Sequence, residues 1–208
     1  MRWLVDRRWA QLLPGMVCCL TLARAEVFPR SEIIVEPTPA MFNVCHGNGC
    51  RDLSFVSLNP VQWQDVLRIF HPLAPTPAEE RERLRAAIAL MEKFVGAANG
   101  TWRDKGGTFN PGEGQMDCID ESTNTTLYLT MFERYGLMRL HRVEDRATRG
   151  WFIGGWPHAS AVIGEAGDFR GGKPRALWAV DSWFLDNGQP PFIIPLETWK
   201  AGWQPDRW

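Results

Sequence analysis

The hydrophobic pattern of the chain changes at Gly136, and this change is the strongest constraint on its fold. Residues 26–60 alternate short apolar pieces with Pro, Asn and Gly and predict an irregular lead-in with one or two short strands, whereas from residue 61 to Gly136 apolar residues recur at helical spacing. After it come short segments rich in Val, Ile, Trp and Phe: "MRLHRVE", "WFIGGW", "HASAVIGE", "ALWAVDSWF" and "PFIIP". Helices followed by strands predict an α+β domain in which N-terminal helices pack on an antiparallel sheet.

Three segments before Gly136 predict helices. The first is "NPVQWQDVLRIF". The second, "TPAEERERLRAAIALMEKFVGAANG", has Thr76 as its cap and Pro77 at its first position. The third begins at Asp117 and ends at Gly136, where a C-terminal cap favours positive φ. Cys118 is therefore predicted to lie in the first turn of the third helix.

The first 25 residues have the pattern of a signal peptide. Arg2, Arg7 and Arg8 precede the apolar segment "AQLLPGMVCCLTL", and "ARA" at Ala25 has the small-x-small form of a cleavage site. The apolar segment is shorter than the ~20 residues that cross a bilayer. We expect cleavage after Ala25, a periplasmic or secreted protein, and no membrane span in the mature chain.

The charge of the mature chain argues against nucleic acid as a partner. Residues 1–25 contain four of the 23 basic residues and one of the 24 acidic residues. Their removal leaves a net charge of about −4 with no basic stripe, whereas nucleic-acid binding proteins present basic patches. The sequence leaves the oligomeric state open.

The chain has five cysteines, of which two are in the signal segment. Cys45 and Cys50, in "CHGNGC", are expected to form a disulfide in an oxidising compartment. A metal site made by Cys45, His46 and Cys50 is the alternative. Cys118, in "QMDCID", is then the unpaired thiol. Such a thiol in an exported protein is buried in the core, pairs with another chain, or is kept for chemistry.

A thiol at a helix N-terminus faces unpaired N–H groups and the positive end of the dipole, which favour thiolate and lower its pKa. A nucleophile also needs a base and a group that orients the base. His158 opens a strand that faces "ALWAVDSW" across the loop "AGDFRGGKPR". With the turn centred between Phe169 and Arg170, His158 faces Asp181, and a slip of one residue would move Asp181 to the opposite face.

These segments resemble the transglutaminase-like cysteine peptidase superfamily: "DCID" at the head of a helix, a histidine on a following strand, and "WAVDSW" on the next. The acids around the cysteine are most similar to those of bacterial transglutaminase-like cysteine proteinases. The resemblance implies a papain-like core with Cys118 as nucleophile, His158 as general base and then acid, and Asp181 as the orienting carboxylate. Asp186 in "LDNG" is the alternative for the third role.

The resemblance spans residues 75–200 and places a catalytic domain at 61–208, behind an N-terminal lead-in at 26–60. It implies hydrolysis of an amide bond in a peptide or protein through a thioacyl-enzyme intermediate. No segment matches a calcium-binding loop, so we expect no metal, and we expect no cofactor. The backbone N–H of Cys118 and the side chain of Gln115 are the candidate oxyanion donors. Two alternatives stay open: acyl transfer to an amine, which would crosslink proteins, and a non-catalytic envelope module that binds a partner.

The acids on either side of Cys118 have structural interpretations. Asp117 is expected to cap the helix, and Asp120 to complement the dipole from its first turn. Their negative charge opposes thiolate formation, so His158 is expected to supply the activation.

Overall fold

The computed structural model describes residues 28–109, 112–150, 157–166 and 176–206. The predicted signal peptide, the segment "WFIGGW" and most of the loop "AGDFRGGKPR" lie outside these residues.

The described chain is an α+β structure with an antiparallel sheet, as the sequence predicts. In chain order its elements are β1 Phe42–His46, β2 Asp52–Val56, α1 Pro60–Ile69, α2 Pro77–Asn99, a 3-10 turn Thr101–Arg103, α3 Cys118–Arg134, β3 His141–Arg149, β4 His158–Glu165, β5 Leu177–Asp181, β6 Phe192–Pro195 and α4 Leu196–Lys200. Strands β3 to β6 form an antiparallel sheet in chain order, and β1 pairs with β2 in a separate hairpin.

The predicted helix boundaries are confirmed by their capping contacts. Thr76 Oγ1 accepts the N–H of Glu79 at 3.3 Å at the start of α2. Asp117 caps α3, and Gly136 follows that helix with φ +70°. Each of these signals is local, because a cap satisfies N–H or C=O groups within one turn of itself.

Helix α3 is central, and it is buried even where its sequence is polar. Every residue from Asp120 to Leu129 is buried. Asn124 accepts the N–H of Cys45 on β1 at 2.7 Å and donates to the Cys45 carbonyl at 2.9 Å. The hydroxyls of Thr125 and Ser182 are 3.0 Å apart. These bonds make burial of the polar half possible, because a buried polar group without a partner is costly.

The apolar half of α3 packs in the main core between α2, the hairpin and one face of the sheet. Its members include Phe42, Val44, Leu84, Ile88, Met91, Tyr128, Leu129, Met131, Phe132, Ala161, Ile163 and Val180. The opposite face of the sheet carries Val162 and Ala179 and is covered by Leu196 and Trp199 of α4.

The predicted β4–β5 register is wrong by two residues. Val162 pairs with Ala179, not with Leu177. Successive side chains of a strand point to opposite faces of the sheet, so the burial pattern shows which residues share a face. It cannot detect a register error of two residues, which leaves every side chain on the same face. For the same reason the slip leaves His158 and Asp181 on one face, the face that α4 covers.

Among the described residues, no helix combines the length and apolar character that a membrane crossing requires.

Candidate active site

Cys118 is the first residue of α3 and is 7% exposed. The Asp117 carboxylate accepts the N–H groups of Ile119 at 3.0 Å and Asp120 at 3.1 Å. In return, Asp120 accepts the N–H of Asp117 at 3.2 Å. This reciprocal capping box fixes the helix start and leaves the cysteine at its tip.

Burial raises the pKa of the Cys118 thiol to about 11, and the carboxylates of Asp117 and Asp181 act in the same direction. The N–H groups of Ala159 and of Cys118 itself oppose that rise. The expectation that the helix N-terminus lowers this pKa is therefore not met, because the cost of desolvating a thiolate exceeds the contribution of the N–H groups. A thiol with this pKa needs a base to react at neutral pH.

His158 and Asp181 are hydrogen-bonded, with Nε2 and Oδ2 2.7 Å apart. Both side chains are buried. The same Oδ2 accepts the indole N–H of Trp199 at 2.6 Å. The other oxygen, Oδ1, has no hydrogen-bond partner among the described residues. Asp181 thus holds one edge of the imidazole and is itself held by Trp199.

Among the described residues, three aromatic rings pack around the imidazole of His158. The centroids of Trp183, Phe184 and Trp199 lie 4.9, 5.2 and 5.5 Å from the His158 centroid. Trp183 and Phe184 also pack against Cys118. The cysteine and the histidine therefore share two neighbours, and the thiol bonds with the N–H of Ala159, the residue after His158. The start of α3 therefore lies beside the start of β4, where Trp183 and Phe184 contact both Cys118 and His158.

Asp186, the alternative third member, lies elsewhere. Its Oδ2 is 2.6 Å from the Lys105 ammonium, and its Oδ1 accepts the N–H of Gly106 at 3.1 Å. The bond to Lys105 lowers the pKa of Asp186. Of the two candidate carboxylates, Asp181 is the one bonded to His158.

Gln115 is buried beside the loop that precedes α3. Its amide nitrogen donates to the Arg103 carbonyl at 2.7 Å, and its amide oxygen accepts the N–H of Lys105 at 3.3 Å. These bonds join residues 103–105 to Gln115, which lies in the segment that leads into Cys118. An amide nitrogen carries two N–H groups, so the bond to Arg103 uses one of them.

Cys45 and Cys50 form the predicted disulfide. Their sulfurs and a carboxylate oxygen of Asp120 lie within 4.8 Å of one another. The metal alternative does not fit these groups, because the sulfurs are bonded to each other and both Asp120 oxygens accept backbone N–H groups. His46, its third proposed ligand, bonds through Nε2 to Ser54 at 2.9 Å.

The sequence did not reveal a group of buried acids beneath the site. Glu121 on α3 accepts the hydroxyl of Ser182 at 2.7 Å, and burial raises its pKa well above the usual value. Burial also raises the pKa of Glu92 to about 8 and that of Asp104 to about 7. Trp199 was missed as well, since no local pattern in "PLETWK" marks a donor to Asp181.

Comparisons with protein-family models, with curated proteins and with solved structures give no match. The family resemblance of the sequence therefore stays a prediction.

Proposed function

We propose that this protein is an exported cysteine hydrolase with a papain-like, transglutaminase-like core, and that it cleaves an amide bond of a peptide or protein through a thioacyl intermediate. The observation that supports this most is the 2.7 Å bond between His158 and Asp181, beside a free cysteine at a helix N-terminus. The Cys45–Cys50 disulfide supports a periplasmic or secreted location, because disulfides persist in oxidising compartments.

In the proposed first step, His158 removes the thiol proton of Cys118. Because the carboxylate of Asp181 accepts from Nε2, Nε2 carries a proton and Nδ1 is the nitrogen that can act as base. The negative charge of Asp181 stabilises the imidazolium that results. The aromatic rings around His158 limit the access of water, which strengthens the thiolate–imidazolium attraction.

The thiolate then attacks the carbonyl carbon of the substrate, and a C–S bond forms while the carbonyl π electrons move to oxygen. The backbone N–H of Cys118 and the second amide N–H of Gln115 are the proposed donors to this oxyanion. Collapse breaks the C–N bond, and the amine leaves with the proton from His158. Water, deprotonated by His158, attacks the thioester, and the acid leaves as the Cys118 thiol is regenerated.

A peptide library in heavy-oxygen water tests this proposal. Native protein is incubated with a proteome-derived library and with denatured whole proteins, and new termini are identified by mass spectrometry. We expect new C-termini that carry heavy oxygen, and none with Cys118→Ala. Equal cleavage by Cys118→Ala, or no new termini in any sample, would refute hydrolysis by this thiol.

The same reactions with a labelled primary amine separate hydrolysis from acyl transfer. The two outcomes share the thioacyl intermediate and differ in whether water or amine reaches it. Incorporation of the amine at glutamine side chains, without new termini, would favour the crosslinking alternative. If neither new termini nor amine incorporation were found, the non-catalytic binding module would be favoured.

A further inference from the structure

The loop that joins β1 to β2 has four consecutive residues with left-handed backbone. Gly47, Asn48, Gly49 and Cys50 have φ of +84°, +67°, +68° and +57°. For Asn48 and Cys50, which are not glycine, this conformation costs about 1 kcal/mol or more each. The disulfide from Cys50 to Cys45 closes the loop at this point.

Successive N–H groups of this loop converge on the two carboxylates that flank Cys118. Asp120 accepts the N–H of Asn48 at 2.8 Å and that of Cys50 at 2.6 Å. Asp117 accepts the N–H of Gly49 at 2.8 Å. A concave row of backbone N–H groups of this kind binds anions.

A further bond extends the attachment along the chain. Gly47 donates its N–H to the Gln115 carbonyl at 3.2 Å. The loop is thus bonded to residues on both sides of the nucleophile within "QMDCID".

We propose that the disulfide loop Cys45–Cys50 is a positioning element of the active site, which anchors the head of α3 and offsets the charge of Asp117. The inference rests on the proposed function, in which Cys118 is the nucleophile. On this proposal the nucleophile reaches its full reactivity only after Cys45 and Cys50 have been oxidised. That oxidation proceeds by thiol–disulfide exchange: two thiols give up two electrons and two protons, and an oxidant of the disulfide class becomes two thiols.

The charges around the thiol indicate why the loop matters for reactivity. Asp117 and Asp181 both disfavour the Cys118 thiolate. The N–H of Gly49 offsets the charge of Asp117. Asp120 is fully buried, and its pKa is raised to about 6 by burial and by Asp117, against the opposing N–H groups of the loop. Without the loop, the helix head would keep its buried acids and lose the donors that hold them.

Because the disulfide is buried, we expect it to form during folding and to stay oxidised in the folded protein. Cys45 and Cys50 are 0% and 1% exposed, so a reductant in solution does not reach their sulfurs in the folded protein. A chain that folds in a reducing compartment would lack the anchor, whereas an exported chain would acquire it. The loop would then confine reactivity to the oxidising side of the membrane.

The rate of Cys118 alkylation by iodoacetamide tests the inference, with the modified peptide measured by mass spectrometry across a range of pH. The variant is Cys45→Ala/Cys50→Ala, and circular dichroism checks its fold. We expect alkylation at neutral pH to slow about tenfold, which corresponds to one unit of thiol pKa. Ser54→Ala is the matched control: it removes a hydrogen bond of the same hairpin, to His46, and should change the rate less than about twofold.

Asp120→Asn keeps the disulfide and covers the case in which the double variant does not fold. The asparagine presents an N–H2 to one of the loop amides and breaks that anchor, but it also removes a negative charge. Positioning by the loop predicts slower alkylation, whereas a purely electrostatic effect predicts an equal or faster rate. An unchanged or faster rate in Asp120→Asn, or a folded double variant with the wild-type profile, would overturn the inference.

Alkylation reads the thiol directly, so this test is separate from the test of amide hydrolysis. If the loop variants slow alkylation and the library shows no cleavage, the proposed function fails, whereas the effect of the loop on the reactivity of the Cys118 thiol stands. If cleavage depends on Cys118 and the variants alkylate normally, only the loop's role fails.

Discussion

Replacing Glu92 by glutamine should stabilise the protein at about pH 8 and leave its stability at about pH 5 nearly unchanged. Glu92 lies on α2 and is 4% exposed. One carboxylate oxygen accepts the N–H of Gly188 at 2.7 Å, and the other has no hydrogen-bond partner among the described residues. Burial raises the pKa of Glu92 from 4.5 to about 8, and the neighbouring Asp104 adds to the rise.

The sign and the magnitude follow from the two pKa values. Between pH 4.5 and about 8 the folded protein keeps a proton that the unfolded chain has released. The free energy of unfolding therefore falls as the pH rises through this window, by about 5 kcal/mol in all. Glutamine imitates the protonated carboxyl: it retains an acceptor for Gly188 and has no proton to lose.

Thermal unfolding followed by circular dichroism measures the effect. At about 2–4 °C per kcal/mol, Glu92→Gln should raise Tm on the order of 10 °C at about pH 8. Glu82→Gln is the matched control, because Glu82 lies on the same helix but is exposed; it should change Tm little at either pH. A Tm difference that is the same at both pH values, or a variant less stable at the higher pH, would refute the reasoning.

Two further predictions concern the residues around His158. Asp181→Asn keeps an oxygen that can accept from His158 and Trp199 but removes the charge, so hydrolysis of the best library peptide should fall about 100-fold or more. Asp186→Asn should change hydrolysis less than about twofold, since Asp186 is exposed and bonded to Lys105. If Asp186→Asn had the larger effect, Asp186 would replace Asp181 as the carboxylate that orients the histidine. Trp199→Phe keeps the ring and removes the 2.6 Å bond to Asp181, so kcat should fall about tenfold with little change in KM and an altered pH profile. A loss confined to KM would contradict a positioning role for Trp199.

The helices could be predicted from the sequence because their signals are local. Thr76, Asp117 and Gly136 each satisfy groups within one turn of the helix they cap. The Cys45–Cys50 disulfide could also be predicted from the sequence, because the prediction depends only on the spacing of the cysteines and on the compartment.

The features that were missed depend on contacts between distant segments. The sequence of α3 does not show that its polar half is buried, because the partners of Asn124 and Thr125 come from β1 and from Ser182. The predicted β4–β5 register was wrong because the alternation of buried and exposed residues shows which face a side chain is on, but not how far one strand is shifted along the other. Asp120 was expected only to complement the dipole, whereas its partners lie 70 residues and more away along the chain.

The pH dependence of Cys118 alkylation in wild type and in His158→Ala tests the central claim most directly. If His158 takes the thiol proton, wild-type Cys118 should react with iodoacetamide at neutral pH. His158→Ala should react appreciably only at clearly alkaline pH, because burial raises the pKa of the thiol and no base remains to take its proton. A wild-type thiol that is inert at neutral pH, or identical profiles for the two proteins, would contradict the assignment of Cys118 and His158 as nucleophile and base.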